Sequence, residues 1–285
     1  MKILIFGKTG QLGEQLYIQG IGRKHKVLGF SHKELDITDR KTIEKMIKKF
    51  APDVVMNATA YHVVPDCELY PDKAFLINAI AIRDLAEICQ NLSIRFVHYS
   101  TDYVFDGKKG SPYLEYDLPT PVQTYGISKM AGEYMALAFN PKSIVIRASG
   151  VYGGKHGSRS KKGNFALNIL REKNKKTLEV SSEQIVNPTY SFDLANATHE
   201  LIRNKDAKGI YHLANDGYCS WAEFAQEIMR LVGSKTKVIP VDRSGQSGGA
   251  KRPLFSALKN IRAAKLGVKL PTWQDAIRRY IITLS

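Results

Sequence analysis

A chain of 285 residues, 44% hydrophobic and 24% charged, has an ordinary globular composition, suits one large α/β unit or two unequal domains, and with a net charge of +15 favours anionic partners: nucleic acid, an anionic membrane or a small phosphorylated ligand. It holds no run of about 18 apolar residues for a membrane span, and the opening MKILIFGKTG turns to glycine too soon for a signal peptide, so a cytoplasmic protein is expected. Cys67, Cys89 and Cys219 are far apart and without CxxC spacing, which reads as reduced thiols and speaks against a disulfide frame or a metal site.

From residue 1 the pattern alternates short β-branched runs with helical periodicities, the signature of βαβ units and a parallel sheet. Strands are expected at 2–6, 26–30, 54–57, 96–100 and 143–147, with helices at 42–50 and 73–90; the latter carries Ala74, Ile77, Ala81, Leu85 and Ile88 at helical spacing. After Arg147 the pieces shorten: helices at 164–171, 192–203 and 220–232, a strand at 210–213, and a closing helix at 273–282 beyond Pro253 and Pro271. The predicted fold class is α/β, a Rossmann-type doubly wound parallel sheet over residues 1–150, to which later segments return, with residues 151–285 mainly a smaller substrate-binding lobe and C-terminal cap. The lysines at 41–49 read as a solvated helix face. Lys155, His156, Arg159, Lys161 and Lys162 lie in a glycine- and serine-rich stretch that fits either a loop near a substrate diphosphate or a solvated one.

The first strand runs into Gly7-Lys8-Thr9-Gly10-Gln11-Leu12-Gly13, a GxxGxxG loop opening a helix. Glycines there permit a tight turn and close approach of a pyrophosphate, and the helix N-terminus offers free N–H groups. The second strand ends in Phe30-Ser31-His32-Lys33. A carboxylate at that point would bind a free ribose 2′-hydroxyl and repel a 2′-phosphate; its absence, with Lys8 in the loop, favours NADPH over NADH. Asp36 and Ile37 follow as candidates to touch the adenine, although Asp36 could equally cap a helix.

Tyr125 and Lys129 stand at i and i+4 in Tyr125-Gly-Ile-Ser-Lys129, on one face of a helix beginning near Thr124. Reducing a ketone needs a proton at the carbonyl oxygen as hydride reaches the carbon, and a phenol with pKa near 10 is a poor donor at neutral pH. A lysine cation nearby lowers that pKa. Upstream, Tyr99-Ser100-Thr101-Asp102-Tyr103 sets hydroxyls at the carboxyl edge of the sheet, where ligands of such folds bind. His62 reads as a polar filler and stays outside the catalytic set.

The segments GKTGQLG, LDITD, DVVMNATAY, HYSTDYVFDG, YGISK, IRASGVYG, QIVNPTYSFDLA and KRPLFSALKN, in this order along the whole chain, resemble the dTDP-4-dehydrorhamnose reductase family of extended short-chain dehydrogenases/reductases. The resemblance implies hydride transfer from NAD(P)H to C4 of a dTDP-4-keto-6-deoxysugar, the last step toward dTDP-rhamnose for cell-surface polysaccharide. It implies Tyr125 as general acid, Lys129 as its pKa tuner and ribose ligand, and Thr101 as the hydroxyl polarising the carbonyl. Gly7, Lys8, Gly10, Gln11, Leu12 and Gly13 would line the pyrophosphate, Ser31, Asp36 and Ile37 the adenosine ribose and adenine, and Ala58, Thr59 and Ala60 the adenosine side. Thr101, Asp102, Tyr103, Asn164 and Arg252 would meet the sugar nucleotide.

The chain departs from the family pattern on the sugar side: Gly150 stands where a tryptophan is usual, Pro65 where an aspartate is, and Val186 where a glycine is. Alternatives to the dTDP-rhamnose reaction are a reductase or epimerase on another nucleotide sugar and a non-catalytic NADP-binding regulatory subunit. The expected partner is a nucleotide-diphosphate sugar rather than nucleic acid or membrane, with no metal; a homodimer stays open.

Overall fold

The computed structural model describes residues 1–154, 163–243 and 250–284. The basic stretch Lys155, His156, Arg159, Lys161 and Lys162 lies outside them. The first half follows β1 (Lys2–Phe6), α1 (Gln11–Gly22), β2 (Lys26–Phe30), α2 (Arg40–Phe50), β3 (Val54–Asn57), α3 (Val64–Leu69), α4 (Pro71–Phe75), a π-helical turn (Leu76–Ile80), α5 (Ala81–Asn91), β4 (Arg95–Thr101), α6 (Thr124–Phe139) and β5 (Ile144–Ala148). There follow β6 (Val151–Tyr152), α7 (Phe165–Arg171), β7 (Thr177–Ser181), β8 (Ile185–Val186), β9 (Thr189–Tyr190), α8 (Ser191–Leu201), β10 (Gly209–His212), β11 (Cys219–Ser220), α9 (Trp221–Leu231), β12 (Lys237–Val241), α10 (Ile261–Lys265) and α11 (Trp273–Ile282).

Six parallel strands form the main sheet in the order β10-β5-β4-β3-β1-β2. Because both faces are covered, the middles of β1, β3 and β5 read as unbroken apolar runs, 3–6, 54–56 and 144–146. Ile3 and Ile5 point into a core with α1, α8 and α10, while Leu4 and Phe6 point into the opposite core with α2, α5 and α6. The strand order reverses between β1 and β3, which opens a crevice beyond their carboxyl ends. A third core joins α7, α9 and α11 around Tyr152, Phe224, Trp273 and Tyr280. Among the described residues no helix is long and apolar enough to cross a membrane.

The helix expected at 73–90 is interrupted. Leu76–Ile80 takes a π turn between α4 and α5, and one extra residue in a turn leaves no mark in apolar spacing. The turn brings the Asn78 carbonyl against α6, where a Cβ on Gly132 would lie 2.1 Å from Asn78 O. Glycine is therefore required at 132 for the two helices to meet.

Candidate active site

The glycine loop closes on itself by contacts that side chains would break. Gly7 has φ +88°, and a Cβ on it would lie 2.9 Å from the Ala58 carbonyl; a Cβ on Gly13 would lie 2.0 Å from Gly7 O. Gly10 precedes α1 with no side chain capping the helix, so the first-turn N–H groups face the crevice. The loop thus has the shape and the donors that a dinucleotide pyrophosphate needs. Ala58 N donates to Phe6 O at 2.9 Å, which sets Ala58, Thr59 and Ala60 beside the loop at the end of β3.

The end of β2 corrects the reading that no acid stands there. Glu34 folds back: its carboxylate accepts from Ser31 N at 2.8 Å, Ser31 Oγ at 2.7 Å and Lys8 Nζ at 2.9 Å. These donors hold it ionised, down to about 2, with the Ser31 N–H the largest cause and the Lys8 ammonium next. Serine followed three residues later by glutamate is a reciprocal capping pattern, the one signal that could have exposed it. Asp36 caps no helix. It accepts from Thr38 N at 2.9 Å and Thr38 Oγ1 at 2.8 Å, and Asp39 caps α2 instead, through Thr42 N. Ile37 is 8% exposed within the α2–α5 core.

At the other end of the crevice β4 delivers Thr101 and Asp102, both buried, and the first two turns of α6 deliver half-buried Tyr125 and buried Lys129. Thr101 Oγ1 donates to Asp102 Oδ1 at 3.0 Å and accepts from Tyr103 N at 3.2 Å. Burial pushes the Tyr125 phenol above its ordinary pKa, opposed by the neighbouring Thr101 hydroxyl. The ring of Tyr103 packs edge-on to Tyr125 at 6.0 Å. Lys129 Nζ meets Tyr99 O at 2.6 Å and His98 Nε2 at 3.2 Å. Burial pushes this amine down to about 7, against the pull of Glu133. The phenol-lowering cation expected from YxxxK spacing is therefore opposed in this arrangement by desolvation.

Two residues unforeseen in the sequence finish the site. Asp102 Oδ2 accepts from Ser149 Oγ at 2.9 Å and Ser256 Oγ at 2.5 Å, tying β4, the end of β5 and the C-terminal segment together. Burial raises this carboxyl to about 6, the hydroxyls opposing. Burial, followed by the Asp102 carboxyl, pushes the Tyr103 phenol up to about 12, and Arg252 from the same C-terminal segment opposes them. Asn164 is committed to structure: its Oδ1 caps α7 through Leu167 N at 2.9 Å, and its Nδ2 donates to Gln11 Oε1 at 3.0 Å and Gly153 O at 3.1 Å. It clamps the glycine loop to α7. At the departures, Gly150 has φ +55° and a Cβ there would lie 2.8 Å from Asn187 O, Pro65 opens α3, and Val186 is buried in β8. Among the described residues no cluster of His, Cys, Asp or Glu is arranged to hold a metal ion.

Comparison with known proteins agrees with this geometry. The family described as RmlD substrate binding domain matches residues 1–285. The chain is 36% identical to the spore coat polysaccharide biosynthesis protein SpsK of Bacillus subtilis, over 98% of this chain and 96% of that protein. Among solved structures, a dTDP-4-dehydrorhamnose reductase from Clostridium acetobutylicum aligns at 34% identity and TM-score 0.92, covering 100% of this chain and 99% of the other. A dTDP-4-dehydrorhamnose reductase from Bacillus anthracis in complex with NADP aligns at 32% identity and TM-score 0.92, with the same coverage. The glycine loop at the sheet reversal, the hydroxyl pair beside a buried lysine and these matches over the whole length have one common account: the chain belongs to the dTDP-4-dehydrorhamnose reductase family.

Proposed function

We propose that the chain is an NADPH-dependent reductase of the C4 ketone of a nucleotide-linked 6-deoxy-4-keto sugar, converting dTDP-4-dehydro-L-rhamnose to dTDP-L-rhamnose in the cytoplasm. The observation that carries this reading is the convergence of buried Thr101, at the end of β4, with Tyr125 and the buried Lys129 amine on successive turns of α6. In this reading residues 1–150, joined by α8 and β10, hold the dinucleotide, and the rest of 151–285 forms the sugar-nucleotide lobe. Gly7, Gly10, Gln11, Leu12 and Gly13 cradle the pyrophosphate; Ala58, Thr59, Ala60, Asp36 and Ile37 border the adenosine; Asp102, Tyr103 and Arg252 border the sugar nucleotide. When bound, the reduced nicotinamide supplies hydride to the carbonyl carbon. Thr101 donates to the carbonyl oxygen, Tyr125 gives it the proton, and Lys129 as a cation offsets the charge left on the phenol.

The test follows NADPH absorbance with purified protein and enzymatically generated dTDP-4-keto-6-deoxysugar. Oxidation that requires the sugar nucleotide supports the reading; a bound dinucleotide without turnover on any keto-sugar nucleotide favours a non-catalytic relative. Gly13→Ala is expected to weaken NADPH binding by about tenfold or more, since its methyl group collides with Gly7 O; dinucleotide fluorescence titration measures it.

Glu34 bears on the choice of dinucleotide. It occupies Ser31 N–H, Ser31 Oγ and Lys8, the donors a 2′-phosphate would use, and a carboxylate in that place repels the phosphate and accepts from a free hydroxyl. Glu34→Gln is expected to raise kcat/KM for NADPH relative to NADH on the order of tenfold. An unchanged ratio would show that Glu34 plays no part in the choice.

A further inference from the structure

The buried amine of Lys129 lies between two groups on β4. The Tyr99 carbonyl, 2.6 Å away, can only accept. What His98 Nε2, 3.2 Å away, offers depends on where the imidazole carries its proton, and that is decided at the other side of the ring. Asn57 Oδ1 accepts from Thr59 N at 3.1 Å and Thr59 Oγ1 at 2.7 Å. A backbone N–H can only donate, so the oxygen of this amide faces Thr59 and its NH2 group faces His98 Nδ1, at 3.3 Å. An amide NH2 accepts nothing. Nδ1 is therefore the lone-pair nitrogen, and the proton of a neutral ring sits on Nε2, directed at Lys129. An ammonium has three donors and no acceptor and would set N–H against N–H; a neutral amine presents a lone pair.

We propose that Asn57 and His98 are positioning residues that fix the His98 Nε2–H tautomer and thereby hold Lys129 as a neutral amine until the catalytic complex forms. The proposal rests on the reading of Lys129 as the catalytic lysine. An imidazolium does not rescue the alternative, because its Nδ1–H would oppose the Asn57 NH2 group. His98 is fully buried, and burial keeps it well below the ordinary histidine range.

The groups around the amine agree. From α6, Glu133 favours the cation, but its carboxylate is shared with Arg147 of β5 at 2.9 and 2.6 Å and with Ser100 Oγ of β4 at 2.5 Å. Tyr125 stands one turn earlier on α6, and Thr101 and Asp102 end β4, with the Asp102 carboxyl bonded to three hydroxyls. From the π turn, Asn78 presents only its amide and carbonyl, its Nδ2 donating to Ser128 Oγ at 3.0 Å and Tyr61 O at 2.9 Å. The cation that Tyr125 needs is thus formed against a hydrogen-bond array that favours the amine. The tautomer acts as a brake on the lysine, released when the Asn57–His98–Lys129 contacts are rearranged.

Asn57→Asp tests this with almost no change of shape. An aspartate keeps an oxygen for Thr59 and turns the other toward His98, where it accepts from Nδ1–H; Nε2 then becomes the acceptor and holds Lys129 as ammonium. Long-range 1H–15N correlation spectra of histidine-labelled protein without added dinucleotide read the tautomer directly, with His98 assigned by the resonances that change in Asn57→Asp and disappear in His98→Gln. The expected result is an Nε2–H ring in the wild type and an Nδ1–H ring in Asn57→Asp, together with an upward move of the Lys129 limb in the pH profile of kcat/KM by about one pH unit. A wild-type His98 that is imidazolium or carries Nδ1–H overturns the proposal, as does a folded, dinucleotide-binding Asn57→Asp whose limb stays in place. The Nε2–H tautomer in a protein that turns over no keto sugar supports this proton arrangement and counts against the reductase reading alone.

Discussion

Tyr125→Phe is expected to lower kcat for the keto sugar by about 10²- to 10⁴-fold, the usual contribution of a positioned general acid, with dinucleotide binding retained. The substitution removes one oxygen and leaves the ring against Tyr103, so packing in the first turn of α6 is kept. The lost group is the only atom of the side chain that can reach a carbonyl oxygen with a proton. Its neighbour Thr101 stays in place, held by Tyr103 N, and accounts for residual activity by turning its hydroxyl proton from Asp102 to the carbonyl oxygen. Stopped-flow measurement of NADPH oxidation under single-turnover conditions separates the chemical step from product release. A variant within a factor of two or three of wild type would remove Tyr125 from the proton path.

Glu133→Ala is expected to destabilise the fold by about 3–5 kcal/mol, the cost of leaving one partner of a buried ion pair uncompensated. Arg147 and Glu133 are 1% and 2% exposed, and the pair is bidentate, Nε to Oε1 at 2.9 Å and Nη2 to Oε2 at 2.6 Å. It joins β5 to α6, the helix that carries both Tyr125 and Lys129. Removing the carboxylate strands a guanidinium whose further favourable neighbour among the described residues is the Phe105 ring, 5.1 Å away. Urea denaturation measures the effect as a lower midpoint with little change of slope. The double variant Glu133→Leu, Arg147→Met should be less damaged than Glu133→Ala, because neither charge is then buried. If both variants are equally unstable, the loss comes from packing rather than from the stranded charge.

Chain order alone disclosed the parallel sheet, the glycine loop and the YxxxK helix, because each is written in residues close together. β1 alternates its side chains between two cores, so every position from Ile3 to Phe6 is apolar; glycine spacing answers to a local collision, such as that between position 13 and Gly7 O; and four residues make roughly one helical turn, which carries Tyr125 to Lys129. The start of α9 was legible to within one residue, at Ser220, whose side chain caps the helix through Glu223 N. The π turn at Leu76–Ile80 was not, since an added residue hardly disturbs the apolar rhythm around it.

The tertiary structure decided what each of these groups meets. Glu34 reaches the end of β2 only because the chain turns back on Ser31. Asp102 becomes a buried carboxyl only where Ser149 and Ser256, 47 and 154 residues away, converge on it. Lys129 stands beside His98 rather than in solvent because β4 and α6 pack together, and the proton arrangement of that contact is set from Asn57, 41 residues before His98. Sequence determines which chemical groups are present and the local geometry that short-range sterics and hydrogen bonds impose. Burial and long-range pairing set their protonation, because desolvation and the direction of a neighbour's lone pair exist only once the chain is folded.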